Sequence, residues 1–247
     1  MLTTEERERY DRQIMIQGVG EEGQERLKEA RVIIAGGGGL GSPAAIYLTA
    51  AGVGKMRLVD HDTVELSNLN RQVLHWDEDI GRSKVESATK KLKRINPGIE
   101  VEAIEETITE KNVSRLVAGF DVIVDAMDNL PTRYLLNKAA LEHNIPFFHG
   151  AIYAFEGRAM TIIPGKTACL RCVYRGVIPE EKFPVIGVTP AVIGSIQATE
   201  VIKYLVGVGE LLGNKLLIYD GLSMQFTELR VKKDPLCEHC SQVTRKE

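Results

Sequence analysis

Short apolar runs and longer stretches with a helical repeat take turns along most of this chain. Val32-Ile33-Ile34-Ala35 is the first such run, and it ends in Gly36-Gly37-Gly38-Gly39-Leu40-Gly41. Residues Pro43 to Ala51 then read as a helix, with the proline tolerated in its first turn. Met56-Arg57-Leu58-Val59-Asp60 predicts a second strand. Strand, glycine turn, helix and strand make a βαβ unit, whose crossover is right-handed and whose strands are parallel. Ahead of it, residues 1–30 are charged and helical in character, with a break at Gly18-Val19-Gly20.

The alternation continues. Ser83 is placed to cap a helix that carries Val85, Ala88, Leu92 and Ile95 on one face and stops at Asn96-Pro97-Gly98. Val101 to Ile104 predicts a strand, and its acidic neighbours put it at a sheet edge. Asp121 to Ala126 predicts a buried strand, Pro131 to His143 a helix, and Ile145 to Phe148 another strand. This much is a doubly wound, Rossmann-like, mostly parallel α/β sheet. Past Gly150 the pattern changes. Ala159 to Pro164 and Lys215 to Asp220 are apolar runs without a regular crossover helix between them, which predicts antiparallel strands. Gly176 to Pro190 reads as a long loop and Pro190 to Leu205 as a helix. The expected organisation is one domain with a helical arm at 1–30, a nucleotide-binding part at 31–150 and a final part at 151–247.

Composition narrows the class without choosing the chemistry. Of 247 residues, 44% are hydrophobic and 26% charged, as in ordinary soluble proteins. A net charge of −3 gives no electrostatic reason to expect nucleic acid. No stretch approaches the ~18 to 20 apolar residues of a membrane span. The opening residues Met1 to Arg7 lack the apolar core of a signal peptide, so a cytoplasmic location is expected.

The cysteines add a candidate metal centre. All four fall in two Cys-x-x-Cys pairs, Cys169/Cys172 and Cys237/Cys240. Four thiolates make a soft cage that suits Zn²⁺ in a closed structural site. Redox pairs or two disulfides are the competing readings, and a reducing compartment favours the metal.

Candidate chemistry gathers after the strand ends. Gly36-x-Gly38-x-x-Gly41 fits the dinucleotide fingerprint, in which backbone approaches phosphate closely at a helix N-terminus. Asp60 ends the next strand, where a carboxylate bonds ribose hydroxyls. The polar loop beyond it holds Asp62, Ser67, Asn68, Arg71 and Gln72, and Lys84 opens the following helix. An arginine and a lysine beside a glycine turn neutralise phosphates, which favours a triphosphate over a nicotinamide. Asp128-Asn129 lies past the Asp121–Ala126 strand, at the carboxyl end of the sheet, and Asp128 could hold Mg²⁺. An NAD-dependent oxidoreductase would account for Gly36 to Gly41 and Asp60. It would leave Arg71, Lys84 and Asp128 without a shared purpose.

Read together, these motifs resemble one family. Arg-Tyr-Asp-Arg-Gln-Ile (9–14), Gly-Gln-Glu-Arg-Leu (23–27), the glycine turn (36–41), Asp-x-Asp-x-Val-x-x-Ser-Asn-Leu-Asn-Arg-Gln (60–72), Gly-x-x-Lys-Val-Glu (81–86), Asp-Asn (128–129) and the two cysteine pairs run in the order seen in MoeB/ThiF/HesA proteins. These are bacterial and archaeal relatives of ubiquitin-activating enzymes. The resemblance implies a homodimer that uses Mg-ATP to adenylylate the C-terminal glycine of a ubiquitin-like sulfur carrier ending in Gly-Gly (MoaD- or ThiS-like). It implies an ATP site of Gly39, Asp60, Asn68, Arg71, Lys84 and Asp128, with Arg12 reaching the neighbouring subunit's site. It also implies zinc on Cys169, Cys172, Cys237 and Cys240, in a region that meets the carrier. Adenylation of another carboxylate or of a tRNA base stays open, as do the molybdopterin, thiamin, tRNA-thiolation and cysteine pathways. No general base is needed, because a carboxylate is already ionised, so His75, His143 and His149 read as structural and His61 as a loop residue beside the nucleotide. Many relatives carry a further cysteine in the long loop, where this chain has Glu181 to Ile186 without one. The expectation is an enzyme that stops at the acyl-adenylate.

Overall fold

The computed structural model describes residues 1–174 and 183–242. Three short helices open the chain: α1 (Thr4–Arg9), α2 (Asp11–Ile14) and α3 (Gly20–Glu29). Then follow β1 (Arg31–Ala35), α4 (Gly41–Ala51), β2 (Lys55–Val59), α5 (Lys84–Ile95), β3 (Glu100–Ile104), α6 (Val113–Val117), β4 (Val122–Asp125), α7 (Leu130–His143) and β5 (Phe147–Tyr153). The remainder is β6 (Glu156–Ile162), α8 (Leu170–Val173), α9 (Val188–Val206), β7 (Lys215–Asp220) and β8 (Gln225–Arg230).

The strands form one eight-stranded sheet in the order β3-β2-β1-β4-β5-β6-β7-β8. Pairing is parallel from β3 through β5 and antiparallel from β5 to β8. The mixed sheet expected from the pattern is therefore present, with β3 at one edge. Its order reverses direction between β1 and β4, the switch point where doubly wound sheets bind ligands.

Period-two alternation splits β1 between two cores. Val32 and Ile34 join Leu48, Leu92 and Val201 from α4, α5 and α9 on one face. Ile33 pairs with Leu116 and Leu136 from α6 and α7 on the other. Both residue sets are almost fully buried, at roughly 1.5 to 3 kcal/mol for each large side chain. Helices on both faces explain why β1 and β4 read as continuous apolar runs.

Several boundaries differ from the sequence reading. Strand β5 begins at Phe147, after Pro146, which has no N–H to give the ladder, and runs on to Tyr153 before a tight turn at Ala154 (φ 50°). Strand β6 starts at Glu156 as the return arm of that hairpin. Strand β8 was not legible, because all six of its residues are exposed and no core face patterned them. Ser83 does precede α5, but its hydroxyl is buried without a hydrogen-bond partner and makes no cap. Ile95 is exposed, so only Val85, Ala88 and Leu92 of that stripe reach the core. Residues 176–182 of the Gly176–Pro190 loop, including Glu181 and Lys182, lie outside the described residues.

Candidate functional site

The turn after β1 is tight in a way that only glycine permits. Gly36 sits at φ 102°, and a Cβ there would lie 2.5 Å from the Ala126 carbonyl oxygen. A Cβ on Gly41 would lie 1.9 Å from the Gly36 carbonyl oxygen. The turn folds back on itself and against the strand end of β4, and α4 starts directly from it. Among the described residues, the backbone N–H groups of Gly38, Gly39, Leu40 and Gly41 donate to no protein acceptor. Four bare amides at a helix N-terminus make a nest for an anion.

Three neighbouring segments surround that nest. Gly37 N–H donates to Asp60 Oδ2 at 2.7 Å, and Asp60 Oδ1 accepts from the Asp62 amide at 2.9 Å. Lys84 Nζ pairs with Asp62 Oδ2 at 2.7 Å, and the lysine side chain is buried although Asp62 is not. The ideal Cβ position of Gly38 is 3.4 Å from Gln72 Nε2, and Gln72 Oε1 is buried without a partner. Gly39 faces Pro190 of α9 and the Arg71 carbonyl. Arg71 Nη1 donates to Ser67 O at 2.7 Å and Asn70 Oδ1 at 3.1 Å, and the residue is partly exposed. A buried lysine, an arginine and bare amides fit a polyphosphate.

The remaining candidates divide. Buried Asn68 supports its own loop, its Oδ1 accepting from Glu65 N at 3.1 Å, and Ser67 Oγ donates to Glu65 Oε2 at 3.2 Å. Asn129 caps α7, its Oδ1 accepting from Thr132 N at 2.9 Å. Asp128 is exposed and, among the described residues, its carboxylate accepts only the Asn129 amide, at 3.3 Å, so it remains open to a cation. Arg12 stands apart, exposed on α2 where that helix packs against α3.

A buried cluster beneath Asp128 escaped the sequence reading. Asp125, fully enclosed at the end of β4, accepts from Met127 N at 3.2 Å and lies 2.7 Å from His149 Nδ1. Arg133 Nη2 donates to Met127 O and Gly150 O, with its Nε 3.5 Å from Asp125 Oδ2. Gln197 of α9 donates to the carbonyls of Asp125 and Phe148, both at 2.8 Å. Burial pushes the His149 imidazole below the ordinary histidine value, against the pull of Asp125, and raises the Tyr174 phenol, whose hydroxyl is 3.4 Å from His149 Nε2. These groups fix the turn that presents Asp128. The only sequence signal for them was a carboxylate inside an apolar strand, at Asp125.

The four cysteines meet in one buried cluster behind the sheet. Sγ separations are 3.9 Å for Cys169–Cys172, 3.6 Å for Cys169–Cys237 and 3.5 Å for Cys172–Cys240. All four sulfurs lie within 4.8 Å of one another. A tetrahedron with Zn–S near 2.3 Å has edges of about 3.8 Å, so the cluster has the size a zinc ion needs. The donors also belong to the surrounding structure: Asn137 of α7 accepts from Leu170 N at 2.9 Å and its amide meets His239 Nδ1 at 3.0 Å. Burial, with Cys172 beside it, pushes the Cys169 thiol up to about 12, which makes it a poor nucleophile without a metal.

The ThiF family matches residues 10–239. The chain belongs to the ThiF family. The SAMP-activating enzyme E1 of Haloferax volcanii is 46% identical over 241 residues, covering 95% of this chain and 89% of that protein. The sulfur carrier protein adenylyltransferase of Thermus thermophilus is 44% identical over 249 residues, covering 96% of this chain and 92% of its own. Among solved structures, E. coli MccB with ATP superposes with a TM-score of 0.85 at 25% identity, over 95% of this chain and 75% of MccB. This ThiF-family chain is an adenylyltransferase, and ATP use follows from that class. No helix among its described residues is long and apolar enough to cross a membrane.

Proposed function

We propose that this chain uses Mg-ATP to adenylylate the C-terminal glycine of a ubiquitin-like sulfur carrier ending in Gly-Gly, releasing pyrophosphate. The observation that carries the reading is the convergence of Lys84, Arg71, Gln72 and four bare amides on one turn, in a chain whose relatives include a sulfur carrier protein adenylyltransferase.

The chemistry needs charge control more than proton transfer. A carrier carboxylate, ionised at neutral pH, attacks the α-phosphorus. The new O–P bond forms as the bond to the β-phosphate bridging oxygen breaks, and pyrophosphate leaves with that electron pair. Two anions approach each other, so the cost is repulsion and orientation. The glycine-turn amides hold phosphate oxygens, and Lys84 exchanges its Asp62 partner for phosphate. Arg71 swings its guanidinium over the same groups. Asp128 would hold Mg²⁺, which supplies charge neutralisation at the phosphates. Arg12, exposed on α2, would serve the nucleotide site of the other copy in a homodimer. Zinc on Cys169, Cys172, Cys237 and Cys240 would be structural.

With all four cysteines in the cage, the chain has no thiol left for a thioester or persulfide. The acyl-adenylate therefore passes to a sulfur nucleophile on another protein. The MccB likeness supports a second reading, in which a peptide carboxylate replaces the carrier tail. ATP–pyrophosphate exchange separates these. Exchange should depend on a Gly-Gly carrier and fall by roughly 10²- to 10³-fold in Lys84→Met and Asp128→Asn. Exchange driven by free peptides alone, or a thiol-labile carrier adduct in the mass spectrum, would overturn the corresponding part.

A further inference from the structure

Beneath the glycine turn lies a second buried polar chain that the reaction as described does not use. His75 Nε2 is 3.0 Å from the Gly37 carbonyl oxygen, and His75 Nδ1 is 2.9 Å from Ser87 Oγ. Lys91 Nζ lies 2.9 Å from that same oxygen and pairs with Asp79. His75, Ser87, Lys91 and Asp79 are each 5% exposed or less.

The proton positions follow from the partners. A carbonyl oxygen only accepts, so Nε2 carries the imidazole proton and donates to Gly37 O. Nδ1 is then an acceptor, which obliges Ser87 to donate to it. The Ser87 oxygen in turn accepts from the Lys91 ammonium, itself held by Asp79. Both ring nitrogens are thus engaged, Nε2 by a group that can only accept, so the ring is held in one tautomer and one orientation. Burial, with the Lys91 and Lys84 charges nearby, holds the imidazole below the ordinary histidine value and keeps it neutral, against the opposing pull of Gly37 O and Asp79.

This lock has a consequence on the far side of the peptide. The Gly37 carbonyl and the Gly38 N–H belong to one planar trans unit, so they point in opposite directions. Drawing the carbonyl inward to His75 turns the Gly38 N–H outward, into the nest. Gly37's own N–H is already spent on Asp60. That bond lies in the preceding peptide unit and holds Gly37 from its other side, while glycine at 37 and 38 supplies no side chain that would fix the Gly37–Gly38 peptide otherwise.

We propose that His75 is a positioning residue for the nucleotide: locked by Ser87, it fixes the Gly37–Gly38 peptide so that the Gly38 amide meets a phosphate. The proposal rests on the reading of the glycine turn as the ATP site, and the test keeps the two apart. Wild-type protein must bind Mg-ATP by calorimetry; if it does not, the ATP-site reading fails first. Given that binding, His75→Leu should weaken ATP about tenfold, the value of one hydrogen bond, with the KM for the carrier unchanged. His75→Gln, whose amide nitrogen reaches the position of Nε2, should stay within about threefold of wild type. Ser87→Ala, a small change that leaves the ring in place, should weaken ATP about threefold and free the tautomer. Long-range ¹H–¹⁵N spectra of the wild type should show the Nε2–H form. Equal ATP affinity in His75→Leu, or in Ser87→Ala should the leucine variant not fold, overturns the proposal. A glutamine variant as weak as leucine, or an Nδ1–H ring, overturns it as well.

Discussion

Replacing Asp125 by asparagine removes one charge from the enclosed cluster below Asp128 while keeping the side chain's shape. In the native structure that carboxylate is inaccessible to solvent, lies 2.7 Å from His149 Nδ1, and faces Arg133 Nε at 3.5 Å. The arginine side chain is only 11% exposed. Asparagine can still accept from Met127 N, but it leaves the guanidinium buried without a counter-charge. Breaking one half of a buried pair costs about 3 to 5 kcal/mol, chiefly the desolvation of the partner left behind. In a domain of this size each kcal/mol shifts the melting midpoint by about 2 to 4 °C, so a fall of roughly 6 to 20 °C is expected. Urea titration at neutral pH should give the same loss with an unchanged m-value. Removing the orphan tests the cause. Arg133→Met alone should also destabilise, since Met127 O and Gly150 O lose their donor. The double variant should then be less damaged than the sum of the singles by about 1 to 3 kcal/mol. Singles that add to within about 0.5 kcal/mol, or an Asp125→Asn midpoint within about 2 °C of wild type, would refute the reasoning.

Three further outcomes are expected. One zinc per chain should be found by elemental analysis and lost in Cys237→Ser; because the cage closes a loop of 68 residues, metal removal should cost about 4 kcal/mol of stability, read by thermal melting with and without chelator. Gly41→Ala should lower both the melting midpoint, by about 1 to 3 kcal/mol of overpacking, and ATP affinity, because its Cβ has nowhere to go but into the Gly36 carbonyl; an alanine variant with native ATP binding would sink that account. Acidification should destabilise the fold below about pH 6.5. His75 and His149 have lowered values in the folded state, so the unfolded chain takes up their protons first; the stability is whole above that pH and is lost as pH falls toward the folded values, by up to about 1.4 kcal/mol per unit for each histidine. Melts between about pH 7 and pH 5 should show that slope, reduced in His75→Gln, and a flat profile would contradict it.

What the sequence revealed tracks where one cause dominates. The glycine turn was legible because a steric demand at Gly36 and Gly41 leaves a single residue type. Strands β1 and β4 were legible because both faces are buried, and the cysteine cage because softness and spacing both point to metal. Strand β8 was hidden for the opposite reason: with every residue exposed, no face selected its residues. The Asp125–His149–Arg133 cluster was hidden because its members come from β4, β5 and α7 and meet only in the folded sheet. His75 was read as structural, and its contacts lie with a backbone carbonyl and a serine, partners that leave no pattern in sequence. Asn129 reads as a ligand from its place after a strand, and its oxygen also caps α7. Strand-end position alone does not separate the two jobs.

The parallel pairing of Ala35 with Asp125 sets a fixed gauge for the enzyme. The glycine turn leaves β1 one residue after Ala35, and the turn bearing Asp128 leaves β4 just after Asp125. Adjacent strands sit about 4.8 Å apart, so the span between the phosphate nest and the open carboxylate is set by hydrogen-bonded backbone rather than by any loop. Neighbouring loops, including the one from Asp60 to Gln72, are free to diverge in length or sequence without altering that span. A homologue remodelled for a different acyl partner would keep the same jaw width at the phosphates and change only what is fed into it.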